Sequence, residues 1–322
     1  MSNLTVGALA ERLRDILQLE VLGSPDGLRR TVPTADASGP GMVLAGYTAR
    51  FVHERLQVFG ETEVSYLRSL SHADRVRILD TFFGYDIPCV LVTKGLDLPE
   101  GMESAATSAG IAILRSKLKT QEFYQKIVPF LENEFAPTTS LHGSLADVYG
   151  VGLLFTGGSG IGKSECVLDL VERGHRLVAD DLVIVKKKGS DVLIGTGHPL
   201  QRHYMEIRGV GLIDVRTIFG IRAVRQQKRV EVVVVLQQWK EGMVVERTGL
   251  DMEMTTILDV EVPRIKVHMN PGKNITVIAE VIAMNHLLRY SGVDPAEAFN
   301  DRLKGHLREK ADVQRYLLDD VE

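Results

Sequence analysis

No run of residues in this sequence is apolar for long enough to cross a bilayer, so a membrane span is not expected. Cysteine is scarce: Cys89 and Cys166 are too few for a disulfide framework or a zinc cluster. Cys166 falls in a helical stretch, where a small buried side chain is the expected role, and neither cysteine is expected to act as a nucleophile. A basic excess is missing too. Lysine and arginine number 38 against 42 aspartates and glutamates, a formal net charge of −4, so no global field recruits nucleic acid. The one compact basic run, Lys186-Lys187-Lys188, precedes Gly189-Ser190-Asp191 between two apolar runs and reads as a solvated hairpin tip. Met1 to Thr5 lack the basic-then-apolar layout of a signal peptide, so the expected location is cytoplasmic. Internal repeats and low-complexity tracts are absent as well.

What remains is an ordinary globular composition, 44% hydrophobic and 25% charged, over 322 residues. That length favours two domains, each able to bury a core. Helical spacing of Leu9, Leu13, Ile16 and Leu17 opens the first domain. Ile87 to Val92 and Ile111 to Leu114 then read as buried strands joined through a short helix, a βαβ-type arrangement. A polar break around Pro137-Thr138-Thr139-Ser140 sets a boundary near residue 133, giving an N-terminal α/β domain over 1–133 and a second domain over 134–322. In the second, Leu177 to Val185, Val192 to Ile194, Val230 to Leu236 and Ile257 to Val267 carry the β-branched enrichment of a mixed sheet. A helix from about Asn274 to Tyr290 follows, its stripe of Val277, Val281, Met284 and Leu288 expected against the sheet. The last segment, Pro295 to Leu318, is a charged amphipathic helix whose exposed edge suits another subunit.

The strongest local pattern lies at 157–164, where Gly157, Gly158, Ser159, Gly160, Ile161, Gly162, Lys163 and Ser164 fit the phosphate-binding loop G-x-x-x-x-G-K-[ST]. Glycines let the backbone curl until successive N–H groups form an anion nest at a helix N-terminus. In that pattern Lys163 reaches the β and γ phosphates and Ser164 holds magnesium. The flanks are in the required order: Val151 to Phe155 reads as a buried strand, and Val167, Leu170 and Val171 share one face of the following helix.

Phosphoryl transfer needs magnesium ligands, a base for the acceptor and an extra cation. Leu177-Val178-Ala179 leads into Asp180 and Asp181, two carboxylates at a strand end near the loop. Adjacent strand residues face opposite sides, so the pair is expected to divide between magnesium or its waters and the acceptor, unless the two acids merely begin a turn. Met205 to Asp214 alternates charged and apolar residues around two glycines. Glu206 there is a second magnesium candidate, although the pattern alone favours a surface strand with Glu206 and Arg208 outward. Arg247, in Glu246-Arg247-Thr248-Gly249, is either a cation for the transferring group or a solvated turn residue. His142, in Leu141-His142-Gly143, is either structural or a proton or phosphate partner.

These blocks together resemble the bifunctional HPr kinase/phosphorylase family. The resemblance is carried by Leu141-His142-Gly143, Asp147 to Gly152, Gly160 to Glu165, Arg173 to Asp181, Met205 to Asp214 and Glu246 to Gly249. Leu44-Ala45-Gly46-Tyr47, Gly60-Glu61-Thr62-Glu63 and Ile87-Pro88 extend it more loosely into the first domain. It implies a C-terminal P-loop kinase domain with a mixed β-sheet, using ATP and Mg2+ to phosphorylate a serine of the phosphocarrier protein HPr. It also implies the reverse reaction, in which inorganic phosphate removes the phosphoryl group as pyrophosphate, and a homohexamer. By the same resemblance Asp181 is the proton acceptor in one direction and donor in the other, Ser164 and Glu206 bind magnesium, Lys163 binds the phosphates, and His142 and Arg247 complete the site.

One segment departs from the family. Where the family usually carries Pro-Val-Arg-Pro-Gly-Arg, linked to dephosphorylation, this chain has His268, Met269, Asn270, Pro271, Gly272 and Lys273. Arginine forks hold phosphate bidentately, whereas lysine is a point charge and asparagine is neutral. The expectation is intact kinase activity with reduced phosphorolysis. Two other functions compete with this reading: a small-metabolite kinase or carboxykinase-like enzyme on a related scaffold, and a nucleotide-sensing scaffold with little turnover.

Overall fold

The computed structural model describes residues 4–239, 253–269 and 274–319. The chain separates into two compact units, Met1–Ala136 and Pro137–Glu322. In the first, helix α1 (Val6–Leu17) starts where the Thr5 hydroxyl accepts the Ala8 N–H at 3.1 Å, and it turns Val6, Leu9, Leu13 and Leu17 inward. Then follow β1 (Leu19–Gly23), β2 (Ala37–Ser38), α2 (Gly41–Leu44), β3 (Leu56–Phe59), α3 (Glu61–Ser69), α4 (His72–Phe83), β4 (Val90–Val92), α5 (Met102–Ser108), β5 (Ala112–Ser116) and α6 (Thr120–Phe135). The sheet order is β1-β5-β4-β3-β2, with β2 to β5 parallel and β1 antiparallel on the edge. The expected βαβ unit is therefore β4-α5-β5. Alternation along the strands supplies two cores: Leu91 and Leu114 pack with Leu9 and Phe123 on one face, and Val90 and Ile113 with Leu79 and Phe82 on the other.

The second unit runs β6 (Thr138–His142), β7 (Ser144–Val148), β8 (Val151–Gly157), α7 (Lys163–Glu172), β9 (Arg176–Ala179), β10 (Leu182–Lys188), β11 (Val192–Gly197), β12 (Tyr204–Ile207), β13 (Gly211–Asp214), α8 (Val215–Phe219), β14 (Gln227–Arg229), β15 (Val232–Gln238), β16 (Glu253–Ile257), β17 (Val260–Met269), α9 (Ile275–Tyr290) and α10 (Pro295–Asp319). Its main sheet is mixed, in the order β16-β17-β15-β8-β7-β9, with β17, β15 and β8 parallel and the pairings β16-β17, β8-β7 and β7-β9 antiparallel. A second, antiparallel sheet has the order β14-β11-β10-β6. One face of the main sheet packs on α7 and α9 through Leu153, Phe155, Val167, Leu170 and Ala283. The opposite face meets the second sheet through Leu145, Leu154, Val183 and Val185. The unit is thus helix, sheet and sheet in layers.

Three expectations change. Leu177 to Val185 is not one strand: the chain turns at Asp180-Asp181, and β9 and β10 belong to different sheets. Ile257 to Val267 is likewise broken, because Leu258 and Asp259 take left-handed φ values of 49° and 61° and fold β16 back on β17. In α9 the stripe of Val277, Val281, Met284 and Leu288 is exposed, and the buried side is Thr276, Ala279, Glu280, Ile282 and Ala283. The helix is apolar on nearly every side, so spacing alone does not fix which side faces the sheet.

Glu280 explains how α9 accepts a carboxylate on its inner side. Its oxygens accept from Arg173 Nε at 2.9 Å and Nη2 at 2.6 Å, and His175 Nε2 lies at 3.1 Å. Tyr149 stacks edge-on against the His175 ring, 4.6 Å between centroids. The Arg173 guanidinium, with help from His175, holds the Glu280 carboxyl down at about 2 despite burial. This cluster pins α9 to the turn that ends α7.

Candidate active site at the phosphate loop

Strand β8 delivers the chain to Gly157, the loop crosses 158–162, and α7 begins at Lys163. Gly157 has φ 142°, and a Cβ there would lie 2.4 Å from the Leu236 carbonyl oxygen of β15, so only glycine fits at the strand end. Gly160 and Gly162 have φ values of 73° and 101°, which continue the curl. The Lys163 ammonium donates to the carbonyls of Gly157 at 3.2 Å and Gly158 at 3.1 Å, across the mouth of the loop. The cation therefore already sits where phosphate charge would gather.

Beside the loop serine lies the Asp180-Asp181 turn. Asp180 is buried, and its Oδ1 accepts from Ser164 Oγ at 3.0 Å and from Ser144 Oγ at 2.5 Å. Its Oδ2 is buried with no hydrogen-bond partner. Burial pushes the Asp180 carboxyl upward, against the pull of the two serine hydroxyls. A buried carboxylate oxygen without a partner, next to a serine hydroxyl, is suited to a divalent cation or its bound water. The donor set fits magnesium, which needs only one or two carboxylates when phosphate oxygens complete its shell.

Asp181 is exposed and takes a left-handed φ of 62°. The two acids do differ in surroundings, but through a tight turn rather than strand alternation. The Asp181 carbonyl accepts the Gly143 N–H at 3.0 Å. Through that bond the turn is tied to the end of β6, where His142 is exposed and in register with Leu182. His142, Asp181, Lys163 and Ser164 thus belong to neighbouring segments at one end of the unit.

Glu206 is exposed on β12, in register with Leu212 of β13. Met205 and Ile207 turn into the core and Glu206 points the other way, while Arg208 lies in the turn that follows β12. The Arg208 guanidinium presses on the loop: a Cβ on Gly160 would lie 2.3 Å from Arg208 Nη1. The turn after β12 thus approaches the phosphate loop at Gly160 through Arg208, while the Glu206 side chain is exposed. His268 and Met269 end β17; the His268 ring meets Trp239 edge-on at 6.1 Å, and Met269 Cε would lie 3.4 Å from a Cβ on Gly162. Arg247, Asn270, Pro271, Gly272 and Lys273 lie outside the described residues.

Sequence reasoning left Asp180 without a defined role and passed over Ser144 altogether. Nothing local marks Ser144, since its partner is 36 residues away. Arg208 was visible only as one charge of an alternating strand. Both cysteines are buried, and burial pushes each thiol up to about 12, which keeps them protonated and inert.

Strand, glycine loop and helix, with a buried carboxylate on the loop serine, define the class: a phosphate-loop enzyme that uses nucleotide and phosphate. The family model for the HPr Serine kinase N terminus matches residues 4–131, and that for the HPr Serine kinase C-terminal domain matches 133–303. The chain belongs to the HPr kinase/phosphorylase family. It is 46% identical over 313 residues to the HPr kinase/phosphorylase of Chloroherpeton thalassium, covering 97% of this chain and 92% of that protein. It is 40% identical to the one from Halalkalibacterium halodurans, covering 96% and 98% respectively. Among solved structures, the Hpr(Ser) kinase/phosphatase from Coxiella burnetii is 34% identical, covers 50% of this chain and 98% of its own, and superposes with a TM-score of 0.45.

Proposed function

We propose that this chain phosphorylates a serine of the protein HPr with ATP and magnesium, and that it catalyses the reverse attack of inorganic phosphate on the phosphoserine. In the forward direction Asp181 accepts the proton of the serine hydroxyl as its oxygen bonds to the terminal phosphorus of ATP and ADP leaves. In reverse, a phosphate oxygen bonds to the phosphorus, the serine oxygen leaves with a proton from Asp181, and pyrophosphate is released. Lys163 offsets charge on the phosphates, while Ser164, Glu206 and, directly or through water, Asp180 hold the magnesium. When bound, that ion neutralises charge between the approaching anions. His142 and Arg247 are assigned to the phosphate and acceptor side. His268 to Lys273 is assigned to the reverse direction.

The observation that carries this reading is the pair at the turn: Asp180 buried on the loop serine, and Asp181 exposed beside it. Among the described residues no helix is long and apolar enough to cross a membrane. We assign the protein to the cytoplasm and to a homohexamer, supported by the exposed apolar side of α9. The test incubates the full chain with HPr, magnesium and ATP, then adds phosphate, following phosphoserine and pyrophosphate by phosphorus NMR. Asp181→Asn is expected to lower transfer by about 10²–10⁴-fold while ATP binding is kept. Undiminished transfer by this variant would remove Asp181 from the mechanism, and labelling of a metabolite in place of HPr would favour the small-metabolite kinase. In the same assay phosphorolysis should run slower than in a relative with both arginines of the 268–273 segment; an equal rate would refute the inference from Asn270 and Lys273.

A further inference from the structure

The two carboxylate oxygens of Asp180 are held unequally. Oδ1 accepts two hydroxyls, Ser164 Oγ at 3.0 Å and Ser144 Oγ at 2.5 Å, while Oδ2 is buried without a partner. An ionised carboxylate has about two acceptor sites on each oxygen, so Oδ1 is filled and only Oδ2 has room for another group. Ser164 belongs to the loop and follows its geometry. Ser144 opens β7, the strand that lies between β8, which carries the loop, and β9, which leads to Asp180. Across the ladder Ser144 pairs with Phe155 of β8, and its neighbour Leu145 pairs with Ala179, next to Asp180. Alternation along β7 puts Ser144 on the side of Ala146, which packs with Val167 of α7. The side chain is fully buried, so two flanking strands fix its place and Asp180 receives its proton.

The two hydroxyls have different consequences. Ser164 gives its one proton to Asp180, so its lone pairs face away from that carboxylate and are open to a cation. Ser144, fully buried, acts on the carboxylate alone. Its bond fills Oδ1 and leaves Oδ2 as the one oxygen offered to a cation or to a water on it. Magnesium suits such a donor, because its near-octahedral shell at about 2.0–2.1 Å has room for single oxygens and retains water. Calcium has a looser shell of about six to eight oxygens and readily takes both oxygens of one carboxylate. We propose that Ser144 is a positioning residue for the metal: by occupying Oδ1 it holds Asp180 to one-oxygen coordination and so sets the preference of the site for magnesium over calcium.

The inference rests on the reading of Asp180 as part of the magnesium seat, so its test separates the two. The β,γ-imido analogue of ATP, which is not hydrolysed, is titrated by calorimetry into the full chain with a chelator, with excess magnesium and with excess calcium. The same titrations are run on Ser144→Ala, which removes the hydroxyl, and on Ser144→Thr, which keeps it; unchanged circular dichroism establishes that the variants fold. The magnesium complex should bind Ser144→Ala about 10–100-fold more weakly, the range for losing a hydrogen bond that orients a metal ligand. The calcium complex and the metal-free analogue should each stay within about threefold, as should the magnesium complex on Ser144→Thr. Equal weakening of all three ligands, which a merely structural role predicts, overturns the assignment. So does an unchanged magnesium affinity in Ser144→Ala, or a threonine variant as weak as the alanine one. Failure of magnesium to strengthen binding to the unmodified chain overturns the magnesium seat itself, and this assignment with it.

Discussion

Replacing Glu280 by Gln keeps the shape of the side chain and deletes the charge that Arg173 and His175 surround. The size of the effect follows from the carboxyl's own titration. Its pKa falls from 4.5 to about 2 on folding. At roughly 1.4 kcal/mol per pH unit that difference corresponds to about 3 kcal/mol of stability at neutral pH. The Arg173 side chain is 46% exposed, and solvent screens part of the attraction, so about 2 kcal/mol is the expected loss. The sign is set by the depressed pKa. The unfolded chain binds the proton more readily, so the stabilisation is complete above about pH 4.5 and drains away as the pH falls toward 2. Trp239 is the single tryptophan of the sequence and lies in the second unit, so its fluorescence reports denaturant unfolding of the unit that contains Glu280. At neutral pH, Glu280→Gln should unfold at lower denaturant with an unchanged slope. The gap between the two proteins should narrow in acid. A difference below about 0.5 kcal/mol at neutral pH, within the range of ordinary surface substitutions, or a gap that persists in acid, would refute the electrostatic account.

The active-site carboxylate should behave in the opposite sense. Burial raises the Asp180 pKa above 3.8, so its ionised form works against folding at neutral pH, and its favourable contribution exists only in acid. With a chelator present, Asp180→Asn should therefore raise the unfolding midpoint at neutral pH, the gain shrinking as acid protonates the native aspartate, while magnesium-dependent transfer is lost; a lowered midpoint would contradict this. On α9, Val281 is 57% exposed and Met284 46%. Val281→Glu with Met284→Lys should leave the monomer folded and reduce the assembly mass by light scattering, and an unaltered mass would remove this side of α9 from any interface.

How far the sequence could be read depended on whether a feature's causes were local. The phosphate loop is local: glycines, lysine and serine at fixed spacing between a strand and a helix specify their own geometry. Helix ends were legible for the same reason, since Asn274 accepts the Val277 N–H at 3.1 Å where α9 begins. A turn at Asp180-Asp181 was open to the sequence, but the passage of the chain from one sheet to another there was hidden, because the apolar residues on both sides continue one pattern. The inner side of α9 was hidden because its buried polar group, Glu280, finds its partners more than 100 residues away. The approach of Arg208 to Gly160 joins a hairpin to a loop about 50 residues earlier, and neither segment alone announces the other.

The parallel centre of the main sheet also bears on how the protein is made. Strand β8, which carries the loop, pairs with β15, and β15 with β17, so the seat of Gly157 requires strands from residues 232–238 and 260–269. Pairings of such sequence separation form late, because the intervening chain must close before they return any stabilisation. During synthesis, then, β7 and β8 can form their hairpin early, but the glycine loop has no wall to rest against until most of the second unit has emerged. Nascent or truncated chains ending before β17 should contain the whole phosphate-loop sequence and still bind no phosphate.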